Sequence, residues 1–373
     1  MNPIGGREGI SDSERLARLR LIRSENIGPV TYHGLLRRFG TAQAALPEIP
    51  ALAAKGGKRR IQLCDPGTAE AELARLARFG ARLICHDEPD FSPALRAAEG
   101  SPPLLSVMGD AARLTQPSVA IVGSRSASAA GARLTRMFAS ELGEAGYVVT
   151  SGLARGIDTV AHEAALASGT VGIFAGGLDR PYPPQNKPLM RRIVDEGGCL
   201  ATEMPFGWEP RAVDFPRRNR IVVGLSLAVL VVEASLRSGS LISARLGGEL
   251  GRLVFAVPGS PLEPRSAGTN MLLKDGAQLA TETADILQAL EPMARRPSPV
   301  QALLHPDDSG DTHEADAGER ARILRSLGVA PVSLDDLILH SSVSPSTVHM
   351  TLLELELAGR LERHSGGRIS LLP

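Results

Sequence analysis

The chain has 373 residues, with 41 lysines and arginines against 41 aspartates and glutamates, and is 43% hydrophobic. That length predicts two or three domains with sizeable cores, and the balanced charge excludes a polycation that coats nucleic acid. With no apolar run near the ~18 residues of a membrane span, no signal-like amino terminus and only Cys64, Cys85 and Cys199 as cysteines, it is expected to be cytoplasmic, without membrane contact, disulfide framework or CxxC metal knuckle.

Residues 1–95 read as a small helical domain. Leu16, Leu19 and Ile22 repeat at helical spacing until Asn26-Ile27-Gly28-Pro29 interrupts them, and a second helix with Leu35, Leu36 and Phe39 stops at Gly40. Residues 1–60 carry eleven lysines and arginines against five acids. Arg37, Arg38 and the run Lys58-Arg59-Arg60 are nevertheless read as solvated charges of a helical bundle rather than a phosphate grip.

Residues 100–292 change rhythm. Ser118–Gly123 is a short apolar run closed by glycine, the pattern of a buried parallel strand. Strands follow at Tyr147–Ser151, Thr170–Ala175, Cys199–Ala201, Leu227–Val232 and Leu253–Val257, and each gap between them holds a helix-length segment. That alternation predicts an α/β domain with a doubly wound, mostly parallel Rossmann-like sheet. Residues 293–318, acidic and containing Pro297, Pro299 and Pro306, read as an extended linker. Residues 319–373 read as a winged helix. Ile323, Leu324 and Leu327 mark its first helix, Ser333 with Asp336 opens the second, Ser344-Pro345 opens the third, and strands flank Gly366-Gly367. The third helix would be the one that reads DNA, but it has no lysine or arginine and carries Glu354 and Glu356, so it is read as a packing or protein-contact helix.

Ligands of such a sheet bind at the carboxyl ends of its strands. Those ends carry Gly123-Ser124-Arg125, then Ser151-Gly152 with Arg155, then Gly176-Gly177-Leu178-Asp179, then Phe215-Pro216-Arg217-Arg218-Asn219-Arg220, and finally Ser238-Gly239-Ser240. Glycine turns and helix starts expose N–H groups to an anion. The serine hydroxyls donate, and Arg125, Arg155, Arg218 and Arg220 supply forked charges. A mononucleotide needs one phosphate socket; a row of them suits a polynucleotide. With only twelve aromatic residues in the chain, phosphate contacts are expected to dominate over stacking. Phe215, preceding Pro216 among polar residues, is read as exposed and able to stack on a base rather than as core.

Other chemistries fail on spacing. The turn Gly123–Ser128 has one glycine of a dinucleotide fingerprint, and neither a P-loop nor HExxH occurs; His162-Glu163 is a structural or surface pair. Asp158, Asp179, Glu203 and Glu233 stand on separate strand ends and are read as orienting arginines or capping turns. No cofactor is expected.

At these strand ends the chain resembles the DNA-processing protein A (DprA/Smf) family. The matching stretches are IVGSR at 121–125, SGLARGID at 151–158, GGLDRPYPPQN at 176–186, FPRRNR at 215–220, VEASLRSGSLISA at 232–244, VPGSP at 257–261 and GTNMLLKDGAQL at 268–279. The flanks resemble it too, with a SAM or helix-hairpin-helix-like amino-terminal domain and a winged helix. The resemblance implies a non-catalytic protein that binds single-stranded DNA, protects incoming DNA and loads RecA in natural transformation and recombination. It also implies a homodimer through the Rossmann-like domain. It places Arg125, Phe215, Arg218, Asn219 and Arg220 in the DNA pocket and Ser151, Gly152, Ser238, Gly239 and Ser240 nearby; the strand-end reading adds Gly123, Ser124, Arg155 and Arg217 to the expected DNA-binding set. Some members carry a lysine three residues before the Phe, where this chain has Ala212; Arg211 and Arg217 are the candidates to replace it. The competing class is a nucleotide-monophosphate ribosyl hydrolase with a related core. Its signature PGGxGTxxE is not matched by Ser238-Gly239-Ser240-Leu241-Ile242-Ser243, and Glu249 stands too far along the helix.

Overall fold

Residues 9–58, 60–294, 315–364 and 366–372 are described in this computed structural model. At the amino end the Ser11 hydroxyl accepts the Glu14 N–H and opens α1 (Asp12–Arg23). Proline at its first turn opens α2 (Pro29–Phe39), and the Thr41 hydroxyl caps α3 (Ala42–Lys55). Glu14 is buried, paired with Arg18 at 2.8 Å, and accepts the N–H groups of Ala42 and Gln43, which ties α1 to the positive start of α3.

The central part runs α4 (Pro66–Arg78), β1 (Ala81–Cys85), α5 (Pro93–Arg96), β2 (Leu104–Gly109), β3 (Ser118–Val122), α6 (Ala129–Glu144), β4 (Val148–Ser151), α7 (Ile157–Ala164), β5 (Thr170–Ile173), α8 (Lys187–Asp195), β6 (Cys199–Thr202), α9 (Asp214–Leu225), β7 (Ala228–Val231), α10 (Ser240–Glu249), β8 (Leu253–Ala256), α11 (Ala267–Lys274), β9 (Gln278–Leu279) and α12 (Thr283–Ala294). The nine strands pair in the order β1-β2-β6-β5-β4-β3-β7-β8-β9. β3 pairs in parallel with β4 and β7, so the strand order reverses between β3 and β7. Successive residues of β3 feed opposite faces: Val119 and Ile121 join Phe138, Leu142 and Ile157, whereas Ala120 and Val122 join Ile173, Ile221 and Val231. Burial on both faces is why these strands are continuous apolar runs.

The sheet extends beyond the expected parallel strands. β1 pairs antiparallel with β2, and β2 antiparallel with β6. The helical reading of residues 1–95 therefore ends early, because Ala81–Cys85 belongs to the sheet. Five residues with one exposed Arg82 give no alternation to separate a strand from a helix turn.

The chain closes with α13 (Ala317–Ser326), β10 (Val332–Ser333), α14 (Leu334–Ser341), α15 (Pro345–Leu357), β11 (Leu361–Arg363) and β12 (Arg368–Leu371). Asp316 with Glu319 forms a reciprocal capping box on α13, while Ser333 and Ser344 cap α14 and α15. Most of the linker expected at 293–318, and Arg59 of the basic run, lie outside the described residues.

Cα proximity divides the chain into two units: Met1–Ala71 with Gln301–Pro373, and Glu72–Val300. The helical and winged segments, kept apart in the sequence reading, thus share one unit. α15 is what joins them. Its Val348, Leu352 and Leu355 lie in the winged core, and Leu353 and Leu357 lie in the core of α1–α3 with Leu21, Leu35 and Ile49. Asn26 donates to the Leu357 carbonyl at 3.1 Å, Thr31 to Glu356 at 3.1 Å, and Arg320 binds both Glu354 and the Lys55 carbonyl. Gly56 permits this approach, since a Cβ there would lie 2.0 Å from the Glu354 carbonyl oxygen. The helix expected to pack rather than read DNA is buried against the amino-terminal helices.

Candidate nucleic-acid interface

Three neighbouring turns frame the centre of the sheet's carboxyl rim, after β4, β3 and β7. The turn after β3 holds Gly123 and Ser124 half-buried and Arg125 exposed. The turn after β4 lies directly on it: Ile157 N–H donates to the Ser124 carbonyl at 3.1 Å. Gly156, at φ 77°, makes that contact possible, because a Cβ would fall 2.3 Å from the same carbonyl oxygen. Arg155, one residue earlier, is exposed.

The start of α6, beside the reversal of strand order, is where a nucleotide phosphate usually sits in this architecture. Here it is filled from within. Glu233 after β7 accepts the Ser128 N–H at 3.0 Å and the Ser128 hydroxyl, and a Cβ on Gly131 would lie 2.5 Å from its carboxyl carbon. The protein's own carboxylate takes the anion position.

Arg218 was expected to reach a phosphate, and its placement corrects that reading. It is 6% exposed, and its guanidinium donates to the carbonyls of Gly152 and Ile173, at the ends of β4 and β5. Burial lowers its pKa to about 10, against the pull of the Asp158 carboxylate. Burial in turn raises the Asp158 carboxyl, opposed by Arg218 and the N–H groups of Ala154 and Gly152. Gly152 has no room for a Cβ, which would meet this guanidinium at 2.7 Å. The Ser151 hydroxyl is also turned inward, donating to the Ile121 carbonyl at 2.6 Å. A helix start on the sheet rim reads alike whether its arginine points out or in, so the sequence pattern did not separate the two.

The other α9 residues form a graded series. Arg220 is partly buried and binds Glu203 and the Gly100 carbonyl, and Arg217, half-exposed, faces Glu203 at 3.3 Å. Asn219 accepts from Arg218 at 3.3 Å. Phe215 is half-buried, with the Arg125 guanidinium carbon 5.6 Å from its ring centre. Arg211 stacks on Trp208 at 4.5 Å and meets Asp214 at 3.4 Å. Although burial works the other way, the hydrogen bonds from Trp208 and Arg211 hold the Asp214 carboxyl below its ordinary value. Both candidates for the missing lysine thus have a carboxylate neighbour. After β7, the Ser238 and Ser240 hydroxyls bond each other at 2.6 Å, Gly239 is exposed and Ser240 is buried.

Sequence reasoning missed Tyr182. It is 50% exposed, and its ring centre stands 5.4 Å from that of Phe215, edge to face. Its only sequence signal was an aromatic set among prolines on the same rim.

A doubly wound, mostly parallel α/β sheet, flanked in sequence by a helical segment and a winged helix, with arginine-rich turns on its carboxyl rim, defines the class. Comparison with known proteins resolves it further. A profile described as DNA recombination-mediator protein A matches residues 82–291, more than half of the chain. The DprA-like N-terminal HHH domain matches 12–74 and the DprA winged helix domain 307–367. Protein Smf of Escherichia coli is 39% identical over 308 residues, covering 81% of this chain and 80% of that protein. The structure of DNA processing protein A from Streptococcus pneumoniae is similar at TM-score 0.62 and 32% identity, covering 75% of this chain and 98% of that one. The structure of DNA processing protein A from Helicobacter pylori, described with a single-stranded DNA binding mode, is similar at TM-score 0.53 and 32% identity, covering 57% of this chain and 96% of that one. The chain belongs to the DprA/Smf family.

Among the described residues no helix is long and apolar enough to cross a membrane.

Proposed function

We propose that this protein binds single-stranded DNA along the carboxyl rim of its central sheet, holds it without cutting it, and acts in recombination by protecting that strand and passing it to RecA. The observation that carries the reading is the exposed Arg125 stacked on Phe215, where the turn after β3 meets the start of α9. One cation and one π-face side by side match the phosphate and base of an unpaired nucleotide. Arg155 and Arg217, both solvent-facing, extend positive charge from that point. Arg218 enters as a positioning residue that fixes the ends of β4 and β5.

The non-catalytic part rests on the engagement of the rim carboxylates. Asp158 accepts backbone N–H groups, Asp179 accepts the Gly207 N–H, Glu203 meets two arginines and Glu233 caps α6. The filled phosphate position at α6 supports a reading without a nucleotide cofactor. The mediator role, with RecA as partner, is carried over from the family. Dimerisation through the central domain is supported by edge strand β9, where Leu279 is exposed and Leu262 and Met271 are exposed nearby in sequence.

Fluorescence anisotropy with equal-length single- and double-stranded oligonucleotides tests the reading. Wild type binds the single strand more tightly, and Arg125→Ala weakens binding to all sequences alike by about tenfold, the size of one charge-assisted contact. Unchanged affinity in Arg125→Ala, or preference for duplex, contradicts it. Release of free base from a nucleoside monophosphate would revive the hydrolase class.

A further inference from the structure

Tyr182 leaves half of a large aromatic side chain in water, although the wholly buried ring of Tyr32 shows that this fold can enclose a tyrosine. Its position is fixed from both ends. On one side, Asp179 accepts the Gly207 N–H at 2.7 Å and Arg180 meets Glu209 at 2.8 Å. On the other, the Asn186 amide donates to the carbonyls of Leu153 and Ala154 and to the Thr159 hydroxyl. Pro181, Pro183 and Pro184 narrow the backbone freedom between those anchors. A ring held this way loses little entropy when something packs on it.

What surrounds it specifies the ligand. Phe215 lies edge to face with Tyr182 at 5.4 Å, and the Arg125 guanidinium lies 5.6 Å from the centre of the same Phe215 ring. Three side chains from three separate segments thus converge, offering two adjacent π-surfaces and one exposed cation. A bare phosphate needs only the cation. A purely apolar partner would leave Arg125 desolvated and unpaired. A nucleobase joined to its phosphate satisfies all three groups.

We propose that Tyr182 is a base-stacking residue: an unpaired nucleobase packs on its exposed ring beside Phe215 while Arg125 takes the adjoining phosphate. This rests on the single-strand reading above and adds to it a second stacking surface. It predicts that bases, as well as phosphates, contribute to affinity at this rim.

The test uses the full chain as wild type, Tyr182→Phe, Tyr182→Ala and Arg125→Ala, with an oligothymidylate and a same-length strand containing abasic sites. Tyr182→Ala is expected to lose about 5- to 150-fold in affinity for the oligothymidylate, the range of one stacked base. It should bind the abasic strand as wild type does, and Tyr182→Phe should keep wild-type affinity for both. If Tyr182→Ala binds the oligothymidylate normally while Arg125→Ala is weakened, the stacking proposal is overturned and the single-strand reading stands. Equal losses on both strands also overturn it, because the tyrosine would then act without touching a base. Failure of the wild type to bind either strand removes the single-strand reading itself.

Discussion

Arg125 and Arg218 belong to neighbouring segments of one rim, yet solvent reaches the first and barely touches the second, which is 6% exposed. Removing the second leaves Asp158 buried without its compensating charge, and the Gly152 and Ile173 carbonyls without their donor. Arg218→Ala should therefore destabilise the protein by about 3–5 kcal/mol in denaturant unfolding, whereas Arg125→Ala should unfold as wild type does. Equal stability of the two variants would mean that Arg218 is no scaffold residue. His162 gives a second prediction at this scale. Its ring is fully buried, with Nδ1 2.7 Å from the Thr170 hydroxyl, and burial followed by repulsion from Arg218 lowers its pKa to about 3. Since the unfolded imidazole titrates near 6.5, acidification below that value protonates the unfolded chain first. Stability is then lost as pH falls from about 6.5 towards about 3, by up to about 1.4 kcal/mol per unit. His162→Gln should flatten that part of the dependence, as measured by urea unfolding at several pH values; an unchanged slope contradicts the assignment.

The sequence reveals β3 to β8: β3, β4, β5, β6 and β7 are buried along their whole length, and β8 is half-buried before its buried Phe255 and Ala256. β1 and β9 were missed because five residues with an exposed Arg82, or a two-residue edge, carry no comparable pattern, whereas β2 (LLSVMG) is a buried apolar run closed by Gly109 and was legible but passed over. On the rim, residue types were legible and side-chain direction was not. Ser151 and Arg218 turn inward, Arg125 turns outward, and only the fold decides between them. α15 illustrates the same limit. Thr347, Val348, Thr351, Leu352, Leu353, Leu355 and Leu357 are buried around most of its circumference because it serves two cores. Leu357→Ala should cost about 2–5 kcal/mol of stability in the amino-terminal unit, read by thermal unfolding. A neutral effect would mean that α15 does not complete the α1–α3 core.

For the whole molecule, the two chain ends make one unit and the sheet makes another. Truncation after residue 314 should expose Leu21, Leu35 and Ile49 and loosen the amino-terminal helices, while the single-strand affinity of the sheet is largely kept. A large loss of affinity would assign DNA contacts to the winged helix. In the proposed function, exposed arginines on the sheet rim neutralise the phosphates of an unpaired strand. A salt titration of oligothymidylate binding measures this most directly. Each phosphate neutralised on a single strand contributes about −0.7 to the slope of log affinity against log salt. Wild type should show a steep negative slope, and Arg125→Ala a slope shallower by about 0.7. Binding that ignores salt, or an Arg125→Ala slope and affinity equal to wild type, would contradict it.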